Sequence, residues 1–306
     1  MKSEKDDITD MLNIDQNKKV INVKSIIRDL TPPLIWRSLS KLRSLKTAQE
    51  QTYIEWEYMP EGWQAAKTDP NIKGWNVDSV LEAYKANWPT FLQTLEGTLP
   101  FGISPEYGAE NRTNLIFHNL MMTYAYALSL ATRHKSSISM LDWGGAIGHY
   151  YLLTQKLVPD LEIDYHCKDV PVLAEYGNSL FPEAHFYKDE TCLDRQYDFV
   201  LVSGSFQYSQ DWASALKDLA RATGEYIFVT RLPIIHHVPS FVMVQRPYEY
   251  GYNTEYLGWC LNRGEFLECA QKTGLKLMRE FVVEQLPPIH RAPEQAEHWG
   301  FLFRKE

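Results

Sequence analysis

The chain has 306 residues, enough for one large domain or two modest ones around a buried core. Its hydrophobic share of 44% and charged share of 23% are ordinary for a soluble globular protein, and 16 Gly with 16 Pro exclude collagen-like and low-complexity classes. A net charge of −8 argues against a dedicated nucleic-acid binder, which needs a basic footprint. The four cysteines, Cys167, Cys192, Cys260 and Cys269, show neither a CxxC pair nor zinc spacing. Neither a metal cluster nor a disulfide scaffold is therefore expected, and a reducing cytoplasm is.

Met1 to Asp10 is polar and lacks the apolar run of a signal peptide. Residues 1–17 carry a net −3 and residues 18–48 a net +7, which marks an N-terminal arm over 1–50, acidic and then basic. Pro32-Pro33 opens a helical pattern with Ile35, Leu39, Leu42 and Leu45 at helical intervals. Such a basic amphipathic stretch suits either a peripheral contact with an anionic membrane through residues 18–48 or a solvated arm on its own domain.

Residues 51–135 read as a helical, aromatic-rich cap, with helices expected over Val77–Phe91 and Leu115–Thr132. Tyr53, Trp56, Tyr58, Trp63, Trp75 and Trp88 fall within 36 residues. These aromatics read as core more readily than as a substrate platform. Thr113 to Thr132 is uncharged over 20 residues, yet Asn114, His118, Asn119, Thr123 and Ser129 argue against a membrane span.

Residues 136–306 alternate short apolar runs with helical segments, the pattern of a parallel α/β sheet. Strands are expected over 139–142, 163–167, 185–187, 198–202, 226–230, 275–283 and 299–303. Pro287, Pro288 and Pro293 in the last connection suit a hairpin and an antiparallel end strand. The expected fold is α/β: a doubly wound, seven-stranded Rossmann-like sheet behind an N-terminal helical cap.

Between the first strand and its helix stands Asp142-Trp-Gly144-Gly145-Ala146-Ile147-Gly148, a turn whose glycines allow unusual backbone angles and close approach of a ligand. Asp169 ends the next strand, 21 residues after Gly148, where a carboxylate can accept from both hydroxyls of a ribose. Asp189-Glu190 ends the third strand, where one acid can accept from an adenine amino group. All of these lie at carboxyl ends of parallel strands, where such sheets bind ligands.

This pattern resembles the class I S-adenosylmethionine-dependent methyltransferases, whose first motif is an acid, one residue, then Gly-x-Gly-x-Gly; Ala146 departs from it at the middle glycine. The stretches Leu141-Asp-Trp-Gly-Gly145, Lys168-Asp-Val-Pro171, Ser203-Gly-Ser-Phe-Gln-Tyr208, Thr230-Arg-Leu-Pro233 and Phe241-Val-Met-Val-Gln245 resemble, more narrowly, a methyltransferase family often found in bacterial surface-polysaccharide (O-antigen) gene clusters. The resemblance runs from about Tyr53 to the C-terminus. It implies S-adenosylmethionine as cofactor, with contacts from Asp142, Gly144, Gly145, Ala146, Gly148, Asp169, Val170, Asp189, Glu190 and Ser203. It also implies a small-molecule acceptor, a hydroxyl or amine on a metabolite that can contain a sugar. A nicotinamide-dependent oxidoreductase is the alternative enzyme, and a non-catalytic scaffold of the same fold the alternative binder. An acid at the strand end favours a sulfonium and an ammonium over a pyrophosphate, by the sign of the charge.

Methyl transfer to oxygen or nitrogen usually needs a base. His236 and His237, just past the fifth expected strand, are candidates for it. Tyr208 is expected to position the acceptor. Arg231 is expected to pair either with an acidic group of the substrate or with an acid of its own chain. An oligomer is compatible with the sequence.

Overall fold

The computed structural model describes residues 53–98, 100–101, 104–106 and 115–306. The acidic and basic arm, residues 18–48 included, lies outside the described residues.

Among the described residues ten strands and six α-helices follow in order: β1 (Trp56–Tyr58), α1 (Asp78–Glu96), α2 (Leu115–Ala131), β2 (Ser137–Trp143), α3 (His149–Leu157), β3 (Glu162–Lys168), α4 (Pro171–Leu180), β4 (His185–Tyr187), β5 (Tyr197–Ser203), α5 (Trp212–Ala222), β6 (Thr223–Ile235), β7 (Phe241–Gln245), β8 (Tyr256–Asn262), α6 (Arg263–Lys272), β9 (Leu275–Gln285) and β10 (Glu297–Lys305). Seven of them form the expected sheet, in the order β4-β3-β2-β5-β6-β10-β9, with β10 antiparallel to both neighbours. The first five are parallel.

Side chains alternate across these strands, so each strand feeds two cores. Met140, Phe199, Phe228 and Leu302 join α1, α2 and α3 residues such as Tyr84, Tyr124 and Tyr150 on one face. Leu141, Val200, Val229 and Phe303 join Leu216, Leu219 and Phe266 of α5 and α6 on the other. Burial on both faces explains why the sequence shows continuous apolar runs instead of strict alternation. The helices before β2 share their core with the sheet itself. No helix among the described residues is long and apolar enough to cross a membrane.

Two features depart from the sequence expectation. The fifth expected strand does not end at Thr230: β6 runs on to Ile235, passing Arg231 at φ 55°. Up to Thr230 it pairs with β5; beyond, Ile234 and Ile235 pair with β8. The insertion after it and the segment before α1 also contain strands. β8, β7 and β1 form an antiparallel extension, with Trp56 opposite Gln245. Since β5 stops at Ser203 while β6 continues, a crevice opens above the ends of β5 and β2.

Candidate functional site

A cleft of about 580 Å³ fills this crevice. Its floor is the turn between β2 and α3. Gly144 sits at φ 72° and donates its N–H to the Lys168 carbonyl at 2.7 Å. A Cβ there would lie 2.2 Å from the Ser205 Cβ, so only glycine lets the turn close against the end of β5. Ala146 holds φ 53° despite its methyl group. Its N–H donates to Asp169 Oδ2 at 2.7 Å, while Asp169 Oδ1 accepts from the Val170 N–H at 2.7 Å.

Asp169 thus stands at the end of β3 with its carboxylate tied to the glycine turn. Burial pushes it up to about 6, against the pull of those two N–H groups and of Lys168. Gly144, Ala146, Asp169, Val170, Glu190 and Ser203 all line the cleft. Glu190 is paired with Lys168 at 3.2 Å, and the Lys168 ammonium lies 4.3 Å from the centre of the Trp143 ring. Ser203 Oγ shares a hydrogen bond with Tyr150 at 2.9 Å.

Other expected contacts do not reach the cleft. Asp189 caps the short helix Glu190–Asp194, accepting from the Thr191 N–H, and is exposed. Gly145 and Gly148 shape the turn from behind: a Cβ at Gly145 would lie 2.3 Å from Asp142 Oδ2, and one at Gly148 would lie 2.7 Å from the Phe186 ring. Asp142 is wholly buried under the turn, accepting from the Tyr165 hydroxyl at 2.5 Å, and does not line the cleft. Its charge therefore does not face a ligand directly, which removes the electrostatic reason for placing it among the contacts.

Residues before β2 close the cleft from above. Trp63, Trp75 and Tyr84 line it. The aromatics of this region are thus divided in role, since Trp88 stacks on Phe91 in the core.

A second chamber of about 200 Å³ adjoins the first. Trp75, Glu106, Gly204, Tyr208 and Tyr256 line both, so they form the shared wall. Trp75 stacks on Tyr256 at 4.3 Å and meets Tyr208 edge-on at 5.2 Å. Arg231 lines the second chamber, and its guanidinium donates to both oxygens of Glu106 at 3.0 and 3.4 Å. Both partners are largely buried. Burial would raise Glu106, but the charge and hydrogen bond of Arg231 leave it below the usual carboxylate value. Of the two partners expected for Arg231, the structure supplies the acid of its own chain.

His236 and His237 are not brought to either cavity. Both are exposed beyond the end of β6, and their N–H groups donate to Glu294 at 2.8 Å. The extra length of β6 is the reason: at about 3.3 Å per residue, five residues past Thr230 carry the pair well beyond the crevice. Two chamber residues that the sequence reading passed over are Glu284 and His298.

No family model and no curated protein matches the chain. Solved structures of similar fold include an S-adenosylmethionine-dependent methyltransferase from Methanosarcina mazei, 14% identical, covering 57% of this chain and 96% of its own, TM-score 0.44. The N-terminal domain of EvdMO1, solved in the presence of S-adenosylhomocysteine and D-fucose, is 13% identical, covers 61% of this chain and 83% of its own, and has a TM-score of 0.43. Magnesium protoporphyrin IX methyltransferase from Synechocystis is 8% identical, covers 76% of this chain and 100% of its own, and has a TM-score of 0.43. At these identities the likeness concerns the fold alone.

Proposed function

We propose that the chain is a cytoplasmic S-adenosylmethionine-dependent methyltransferase acting on a hydroxyl or amine of a small, sugar-containing metabolite, in polysaccharide biosynthesis. The observation that carries this reading is Asp169: a half-buried carboxylate at the end of β3, locked to the glycine turn and facing a cleft of nucleoside size. There it suits the two hydroxyls of a ribose. Ala146 and Val170 suit the adenine side, Glu190 its amino group, and Gly144 with Ser203 the amino-acid side. Bound there, the cofactor supplies an activated methyl group on a sulfonium. The chain's own task is then alignment and exclusion of water, for which the wall of Trp75, Tyr208 and Tyr256 is placed.

The cleft also weighs against a dinucleotide. A pyrophosphate needs the N-terminus of the helix after the turn, yet Gly148 and His149, where α3 begins, are not among its lining residues. The second chamber disfavours an anionic acceptor. Among the described residues its one arginine is neutralised by Glu106, its remaining acids are Glu55 and Glu284, and its aromatic faces suit the C–H faces of a hydroxylated ring.

S-adenosylhomocysteine is expected to raise the melting temperature by mass action, and NAD(H) is not. A shift with NAD(H) and none with S-adenosylhomocysteine would overturn the reading. Asp169→Ala removes the ribose acceptor and one anchor of the turn. Its affinity for S-adenosylhomocysteine should fall ~5–150-fold, the equivalent of ~1–3 kcal/mol, as read by titration calorimetry. Unchanged affinity would reject that role. For the basic arm we keep the membrane contact as a proposal. Co-sedimentation of the full chain with anionic vesicles should fall with salt, and equal binding to neutral vesicles would refute it.

A further inference from the structure

The second chamber contains a histidine and a carboxylate built as a pair. His298 of β10 and Glu284 of β9 face each other across the antiparallel ladder. His298 Nδ1 lies 2.7 Å from Glu284 Oε1, and both residues line the chamber. His298 is only 7% exposed. A carboxylate on Nδ1 holds the ring proton there and leaves the lone pair on Nε2. Among the described residues Nε2 has no hydrogen-bond partner.

We propose that His298, held by Glu284, is the base that takes the acceptor's proton in this chamber. The proposal rests on the methyltransferase reading above and places its acceptor beyond the wall of Tyr208 and Trp75.

Among the described residues four charged groups from four segments line this chamber with His298: Glu284 of β9, Arg231 of β6, Glu106 before α2, and Glu55 before β1. Burial, joined by the charge of Arg231, keeps the imidazole below its ordinary value, against the hydrogen bond and charge of Glu284. Burial alone would raise Glu284; the hydrogen bond and charge of His298, with Arg231, leave it below the ordinary carboxylate value. At neutral pH the pair is therefore a neutral imidazole on an ionised carboxylate, the state a base needs.

The step balances. The acceptor's O–H or N–H gives its proton to Nε2. The acceptor's lone pair forms the new bond to the methyl carbon, and the old carbon–sulfur bond leaves its electron pair on sulfur. The imidazolium so formed is held by Glu284 until it returns the proton to water. His298 would touch the reacting group, and Glu284 acts through it as a positioning residue.

The test uses the full chain, labelled with ¹⁵N at histidine and saturated with S-adenosylhomocysteine. Long-range ¹⁵N–¹H spectra, with the His298 ring assigned by through-bond correlation to its own backbone, should show the Nδ1–H tautomer and a midpoint below ~6.5. The Nε2–H tautomer, or a midpoint above that value, would overturn the proposal. The tautomer is read in the unmutated chain, so a variant that fails to fold leaves it decisive. In a second arm, labelled methyl from S-adenosylmethionine is offered to a small-molecule extract. His298→Gln should slow transfer ~10²–10⁴-fold without changing affinity for S-adenosylhomocysteine. Glu284→Gln should move the acidic limb of the rate profile to lower pH, because it removes the charge that favours imidazolium. Wild-type turnover by His298→Gln rejects the base. Binding of S-adenosylhomocysteine by the unmutated chain tests the cofactor reading separately, so the two can fail independently.

Discussion

Gly144→Ala is expected to cost about 3 kcal/mol of stability or more, and with it the cofactor cleft. Two penalties add at this position. The backbone sits at φ 72°, where a side chain costs ~1–2 kcal/mol. The new methyl would also fall 2.2 Å from Ser205 Cβ and 2.4 Å from its Oγ. Ser205 cannot rotate its way out, because the clash reaches its Cβ and its hydroxyl donates to the Trp143 carbonyl at 2.7 Å. The end of β2 and the end of β5 must therefore separate.

Ala146→Gly is the control in the same turn. Ala146 already bears a side chain at φ 53°; removing it relieves strain of ~1 kcal/mol and forfeits a buried methyl worth about as much. That variant should stay within ~0.5 kcal/mol of the unmutated chain. Urea midpoints of the two variants and of Gly144→Ala/Ser205→Gly decide it, since the double variant should recover the steric share alone. A Gly144→Ala midpoint equal to that of the unmutated chain would show the turn to be loose, and Asp169 would lose its anchor.

Legibility in the sequence followed physical rules. The seven sheet strands were readable because burial on both faces leaves short apolar runs bounded by turn residues. Gly144, Asp169 and Glu190 line the cleft as their places at strand ends suggest, because a parallel sheet opens its crevice there. β1 has three residues and takes its strand conformation from β7, so nothing local announces it. The continuation of β6 turns on Arg231 at φ 55°, a conformation arginine does not advertise. The extra length of β6 is why His236 and His237, expected near the crevice, lie outside both cavities.

The chamber's histidine was hidden for another reason. His298 and Glu284 meet only through the register of the β9–β10 hairpin. A polar, proline-rich connection does not specify that register, whereas the buried faces of the two strands do. On the other side of β10, in its ladder with β6, His298 stands opposite Pro233, three residues short of His236.

Asp142→Asn is expected to stabilise the chain at neutral and alkaline pH, and to leave it unchanged in acid. Asp142 is wholly buried; its Oδ2 accepts from Tyr165, and its Oδ1 is buried without a hydrogen-bond partner among the described residues. Burial pushes the carboxyl up to about 7, with the charge of Asp169 adding to the rise and the Tyr165 hydrogen bond opposing it. A folded value raised above the unfolded one means that the protonated acid is the form the fold prefers. Its contribution is fully present below ~4 and is lost as pH rises through about 7. The unmutated chain should therefore fall behind Asp142→Asn by on the order of 1 kcal/mol per pH unit inside that window, and the gap should level off above it. Other groups bend both curves alike. His149 and His166, held down to about 4 chiefly by burial, make both proteins more stable as pH rises toward the ordinary imidazole value, so only the difference between the two curves isolates Asp142. Asparagine keeps the acceptor for Tyr165 and adds no charge. Denaturation of both proteins from pH 4 to 9 gives the difference directly. Parallel curves would mean that Asp142 is ionised beneath the turn, with its free oxygen paired by a group that these contacts do not include.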